Sequence, residues 1–210
     1  MSKICFLVGS VDISGGTYVI LQHALYLQNN GHDISLAVQE PFTESTLKWH
    51  DAASKLNCFS FGKNTDIKFD LVISTWWKTA LSQLEYKAKR YAYFVQSIES
   101  LFYSEEEKPL RELVNSTYKL PLQYITEASW IKHYLADNYG HRAEVVRNGI
   151  RKDIYNEVDP GYEKRPSTQP RILIEGHLGV PFKNTALSIR AANRAGAKDI
   201  WMLTGSSVKS

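Results

Sequence analysis

Lys3-Ile4-Cys5-Phe6-Leu7-Val8-Gly9-Ser10-Val11-Asp12-Ile13-Ser14-Gly15-Gly16-Thr17 is the stretch whose reading decides the fold. An apolar run of strand length closes on Gly9. A glycine pair then opens an amphipathic stretch, placed at 17–29, with Ile20, Leu21, Ala24, Leu25 and Leu27 on or beside one face. Strand, glycine-containing turn and helix form the opening unit of a parallel sheet wrapped by helices. Gly15-Gly16 lets a ligand approach bare backbone N–H groups. The helix N-terminus adds partial positive charge, so the favoured guest is an anion such as a phosphate.

The same alternation continues along the chain. Strands are expected at 32–38, 58–61, 70–74, 91–96, 122–126 and 144–146, and helices at 43–55, 78–87, 105–118 (interrupted near Pro109) and 129–139. Residues 97–104 read as a loop, and Asn148-Gly149 as a turn. This predicts an α/β fold, a Rossmann-like parallel sheet with helices on both faces, over residues 1–155. Residues 156–170 hold Pro160, Gly161, Pro166 and Pro170 among polar and charged residues and read as a linker. Beyond it the opening pattern recurs: a strand at 171–176, a helix at 184–195 and a strand at 199–204. Residues 171–210 are therefore expected to be a fragment of a second Rossmann-like domain.

Bulk composition narrows the function classes. The chain has 210 residues, 43% hydrophobic and 22% charged, with a net charge of +3 and scattered basic residues. That balance does not point to nucleic acid. Cys5 and Cys58 both fall in apolar runs and read as buried reduced thiols of a cytoplasmic protein. No apolar run approaches the ~20 residues needed to cross a bilayer. Lys78, Lys87, Lys89 and Arg90 form a loose basic cluster, read as a solvated helix face, with peripheral contact to the inner membrane surface as the alternative.

Motif tests exclude several chemistries. A dinucleotide fingerprint needs G-x-G-x-x-G, and the spacing from Gly9 to Gly15-Gly16 fails it, although Glu40 ends the second strand where a ribose-binding acid would stand. No lysine follows Gly16, so the P-loop is absent. The six histidines are not spaced as metal-ligand pairs with one another or with the cysteines. No G-x-S-x-G elbow supports a serine hydrolase. Trp76, Trp77, Tyr91, Tyr93, Phe102 and Tyr103 flank strand ends facing the cleft of an α/β sheet. Core packing is the plain reading, and Trp76, following a strand's carboxyl end, is the candidate sugar contact.

Taken together, these segments resemble family 4 glycosyltransferases, enzymes of the two-Rossmann GT-B fold. The resemblance is carried by the first strand, Gly15-Gly16 and a helix ending Tyr26-Leu27-Gln28-Asn29-Asn30-Gly31-His32-Asp33-Ile34. It continues in Tyr124-Ile125-Thr126-Glu127-Ala128-Ser129-Trp130-Ile131-Lys132, read as a strand followed by a serine-capped helix. Val146-Arg147-Asn148-Gly149-Ile150 is similar to the family's interdomain turn. Ile174-Glu175-Gly176-His177-Leu178 with Lys183-Asn184 is similar to the first loop of its donor domain. Tyr93-Phe94-Val95-Gln96-Ser97-Ile98-Glu99 with Phe102-Tyr103 looks most like bacterial enzymes that build rhamnose-containing or similar surface glycans.

The resemblance implies transfer of a sugar from a nucleotide diphosphate donor to a glycan or lipid-linked acceptor, with retention and with no required metal or cofactor. Without a metal, charge growing on the leaving diphosphate must be met by backbone N–H groups, a helix N-terminus and fixed cations. It assigns diphosphate contacts to Gly15, Gly16, Lys183 and His177. His177 stands where the family usually has arginine, which makes any phosphate contact weaker and pH-dependent. Gln96 stands near the strand end where many members have histidine. An amide can bind a sugar hydroxyl but cannot shuttle a proton, and a plain strand-end role is the other reading. Glu99 reads as a solvated loop carboxylate, or as a contact to acceptor or donor; Gln96 and Glu99 are the catalytic candidates. The family's paired glutamates are absent, so the chain is expected to be shortened or completed by another polypeptide, and inactive alone. Its incomplete second sheet is expected to lean on the first domain or to self-associate. The alternatives are a non-catalytic remnant that binds a glycan or partner, and a different nucleotide-binding Rossmann-like protein such as a dehydrogenase.

Overall fold

The structure, a computed structural model, describes residues 1–51, 53–156 and 170–205. Contacts divide the chain into two units, Met1–Gly149 and Ile150–Ser210. Most of the expected linker, residues 157–169, lies outside the described residues.

The first unit runs β1 (Lys3–Val8), α1 (Gly15–Asn29), β2 (Asp33–Val38), α2 (Glu44–Leu47), β3 (Asn57–Ser60), β4 (Lys68–Ser74), α3 (Trp77–Leu81), β5 (Lys87–Val95), α4 (Lys108–Thr117), β6 (Gln123–Thr126), α5 (Ser129–Tyr139) and β7 (Glu144–Val145). Its seven strands pair in parallel in the order β3-β2-β1-β4-β5-β6-β7. This is the α/β, Rossmann-like architecture expected from the sequence.

Period-two alternation separates the two faces of the sheet. Phe6 lies opposite Leu36 and Ile73, and Ile73 opposite Ala92. That face packs with Ile20, Leu21 and Ala24 of α1. Tyr93 and Val95, on the other face, pack with Trp77 and Ala80 of α3, Val114 of α4, and Ile131 and Leu135 of α5. Cys5, Leu7 and Val72 extend that face around the buried Tyr86 ring. The two thiols are unpaired, and burial pushes them up to about 12 (Cys5) and about 11 (Cys58), which makes them inert.

Several boundaries differ from the sequence reading. Helix α1 begins at Gly15 rather than near Thr17, because Ser14 Oγ accepts the Thr17 amide at 3.0 Å and caps the helix one glycine pair earlier. The helix expected at 43–55 reduces to α2 and a 3₁₀ turn at Ala53–Lys55. After α2, Trp49 Nε1 donates to the Val11 carbonyl at 2.8 Å and His50 sits 2.9 Å from Gln22, so tertiary partners hold residues that local pattern assigned to a helix. The helix expected at 78–87 ends at Leu81, and the buried Gln83 accepts a hydrogen bond from Ser74 Oγ. Strand β5 starts four residues early, at Lys87, where it pairs with Lys68, and Lys89 forms an ion pair with Asp70 at 2.6 Å. Ser129 is the first helical residue of α5, and Ala128 is its uncapped N-cap.

The second unit contains β8 (Arg171–Glu175), α6 (Thr185–Arg194) and β9 (Asp199–Leu203), with β8 and β9 parallel. Arg171 lies 3.6 Å over the Trp201 ring and bonds Asp199 at 3.0 Å, joining the two strands across their outer surface.

Leu21 is fully buried where α1 meets the sheet, whereas Tyr26 on the same helix is 67% exposed. Leu21→Ala is expected to lower stability by about 2–5 kcal/mol and Tyr26→Ser to change it little, as read by chemical denaturation.

Candidate functional site

Strand connections reverse direction between β1 and β4, since β1 leads outward through β2 to β3 while β4 leads the other way to β7. The carboxyl ends of these two strands border a crevice, the place where ligands bind in open parallel sheets. A cavity of about 290 Å³ lies there, lined by residues that include Gly9, Ser10, Asp12, Gly16, Glu40, Thr75, Trp76, Gln96 and Glu99. It thus draws on the loops after β1, β2, β4 and β5.

Each wall has an identifiable support. Ser14 fixes the start of α1, and the amides of Gly15 and Gly16 meet no acceptor among the described residues. Gly15 is exposed, and Gly16 faces the cavity. Gln96 Nε2 donates to the Gly16 carbonyl at 3.2 Å, tying the end of β5 to the first turn of α1. Thr79 Oγ1 accepts the Thr75 and Trp76 amides at 3.3 and 3.2 Å and so holds the turn that presents Trp76. The Trp76 ring lies against Gly9: a Cβ at Gly9 would stand 2.6 Å from Trp76 Cε3. Lys78 Nζ stands 4.6 Å from the Trp76 ring centroid and 5.5 Å from that of Trp77.

Glu99 departs from the sequence reading as a solvated loop carboxylate. It is largely buried, and its Oε2 accepts the Trp77 amide at 2.9 Å and the Tyr93 hydroxyl at 2.7 Å. Its own amide donates to the Tyr118 hydroxyl at 2.9 Å. Tyr93 and Tyr118 are stacked, with centroids 6.0 Å apart. Burial pushes the Glu99 carboxyl up from 4.5 to about 7, against the opposing pull of the Tyr93 and Trp77 hydrogen bonds. Nothing local in the sequence pairs Glu99 with residues 6 and 22 positions away.

The structure therefore gathers Gly16, Trp76, Gln96 and Glu99 around one cavity, with Gly15 adjoining. Sequence reasoning had not placed Asp12, Ser10, Ser14, Thr17 or Thr75 there; Glu40 it had noted only for its position at a strand end. Asp12, Glu40 and Glu99 are carboxyl groups, and no lysine, arginine or histidine lines the cavity among the described residues. The arrangement suits a ligand rich in hydroxyl donors. Among the described residues, no group of three or more histidine, cysteine or acidic residues is placed to hold a metal ion.

Lys183 and His177 belong to the second unit, where both follow the carboxyl end of β8. Lys183 Nζ lies 3.6 Å from Glu175. Gly176 has a φ of +151°, and a Cβ there would stand 2.6 Å from Thr185 Oγ1, whose hydroxyl donates to the His177 carbonyl at 3.2 Å. Only glycine fits that crossing.

The basic cluster of the sequence reading is split: Lys78 follows the carboxyl end of β4, whereas Lys87, Lys89 and Arg90 lie in the first half of β5. No helix among the described residues is long and apolar enough to cross a membrane. In comparisons with known proteins, no family model and no curated protein matches the chain.

Two outcomes follow. Gly9→Ala is expected to cost about 1–3 kcal/mol by forcing the Trp76 ring aside, and Trp76→Ala in the same chain to recover most of that loss, as read by denaturant titration. Because the folded Glu99 carboxyl holds its proton to about 7 and the unfolded one only to about 4.5, its contribution to stability is complete below pH 4.5 and is lost as pH rises toward 7. Thermal melts of Glu99→Gln should therefore gain on the wild type between pH 5 and 8, at up to about 1.4 kcal/mol per pH unit while the group titrates.

Proposed function

We propose that the chain is a glycosyltransferase, with its first unit on the acceptor side, that moves a sugar from a nucleotide diphosphate donor to a glycan or lipid-linked acceptor. The observation that carries this reading is the switch-point cavity, which combines unpaired helix-start amides with walls of hydroxyl, amide and carboxyl groups beside an aromatic ring. Sugars are bound by this mixture of hydrogen-bonding groups and a flat apolar face. The ordered resemblance to family 4 glycosyltransferases, from the first strand to Lys183-Asn184, supports the same class.

In this reading the Gly15 and Gly16 amides face the developing negative charge of the leaving diphosphate. Lys183 and His177, both in the second unit, are the residues that the resemblance assigns to the diphosphate. Trp76 offers its ring to the acceptor, and Gln96 and Glu99 hydrogen-bond to sugar hydroxyls.

Among the described residues no cation lines that cavity, which favours a second reading, a non-catalytic glycan-binding remnant. The dehydrogenase alternative meets an obstacle in Trp76. Its ring lies on Gly9, directly after β1, where the glycine turn of a dinucleotide site begins.

Calorimetry with UDP, GDP and dTDP separates the readings. The transferase reading expects one of them to bind the chain and Gly16→Val to weaken that binding about tenfold or more. Binding of neutral methyl glycosides without any of the three supports the remnant, and binding of NAD supports the dehydrogenase.

A further inference from the structure

We propose that Glu99 Oε1 is the anchor for a hydroxyl of an uncharged sugar in the switch-point cavity, and that Tyr93 is its positioning residue. The inference rests on the sugar-binding part of the proposed function and deepens it by naming the group that selects the sugar.

Both protein donors to the Glu99 carboxyl fall on one oxygen, Oε2. Among the described residues Oε1 meets no protein partner, and it is not among the sealed polar atoms, while Glu99 itself lines the cavity. One oxygen is therefore clamped and the other is presented. The clamp comes from three elements: the Tyr93 hydroxyl on β5, the Trp77 amide at the start of α3, and the Tyr118 hydroxyl that holds the Glu99 amide at the end of α4. A carboxylate fixed in this way needs little reordering to accept a hydroxyl proton donor, and such charge-assisted hydrogen bonds are the strong ones.

The surroundings define the ligand. Tyr93 and Tyr118 pack behind Glu99 as neutral, buried hydroxyls; the other acidic groups lining the cavity are Asp12 after β1 and Glu40 after β2, and Lys78, after β4, lies over the adjoining tryptophans. An acidic sugar would add a further negative charge without a cation on these walls, so the cavity selects against uronic acids. About 290 Å³ is at the lower end of the usual range for small-molecule sites and suits a single sugar unit.

Ionisation follows from the same geometry. Only the carboxylate accepts a hydroxyl proton at Oε1 with full strength, so sugar binding strengthens as pH rises through the Glu99 midpoint. Removing the Tyr93 hydroxyl takes a donor from the charged form and moves that midpoint to higher pH.

The test is a ligand-observed NMR titration of the full chain with the methyl glycosides of glucose, galactose and mannose, and with glucuronate, from pH 5.5 to 8.5. At least one neutral glycoside is expected to bind about tenfold more tightly at pH 8.5 than at 5.5, and glucuronate more weakly than the neutral glycosides. Glu99→Gln, with its melt checked for folding, should lose about tenfold at pH 8.5 and flatten the pH profile. Tyr93→Phe should shift the midpoint upward, a readout that a purely structural tyrosine would not move. Neutral-sugar binding that ignores pH, or that is equally tight in Glu99→Gln, overturns the anchor and leaves the sugar-site reading standing. An unmoved midpoint in Tyr93→Phe overturns the positioning role. No binding of any neutral glycoside at any pH overturns both the anchor and the sugar-site reading.

Discussion

Reversal of the strand order between β1 and β4 is the constraint on which the rest depends. Two adjacent parallel strands send their following segments to opposite sides of the sheet, α1 onto one face and α3 onto the other. The loops leaving those strands diverge, and the sheet's own packing opens a crevice. Neighbouring loops then close its sides: Glu40 arrives from β2, and Gln96 and Glu99 from β5. The site is built by topology before any side chain is chosen to fill it.

What fills it is held by contacts between loops rather than within them. Gln96 ties the end of β5 to α1, Thr79 holds the turn that carries Trp76, and Trp76 rests on the bare backbone of Gly9. Glu99 sits at the junction of β5, α3 and α4, where two influences on its carboxyl oppose each other. Burial disfavours its charge while two hydrogen bonds favour it, and the balance leaves a carboxyl group that titrates near neutrality. A group in that state can change its protonation in the ordinary range of cellular pH, which a solvated loop glutamate does not do.

Charge is distributed unevenly between the two units. The first unit's cavity offers amides, hydroxyls and carboxyl groups without a cation among its described lining, while Lys183 and His177 both follow β8 in the second. A polyhydroxylated ligand matches the first set, and an anionic one matches the second. Under the proposed function this division corresponds to acceptor and donor chemistry. Lys183 already has Glu175 at 3.6 Å, so a phosphate there would compete with a resident carboxylate.

The sequence by itself determined the layered plan. Short apolar runs such as Ile4-Cys5-Phe6-Leu7-Val8 and Ile34-Ser35-Leu36-Ala37-Val38 specify buried parallel strands, and their alternation with helices specifies the Rossmann-like sheet, because those signals are local and repeated. The end of β1, the glycine pair and the strand-end positions of Glu40, Trp76 and Gln96 were legible for the same reason. Tertiary structure decided the rest. Residues 43–55 gave up helix to anchors on Val11 and Gln22, and β5 began early because Lys87 and Lys89 found partners on β4. It also turned Glu99 from a loop carboxylate into a clamped, largely buried one. A side chain's burial and the identity of its hydrogen-bond partners depend on residues brought from elsewhere in the chain, and local sequence pattern carries no record of them.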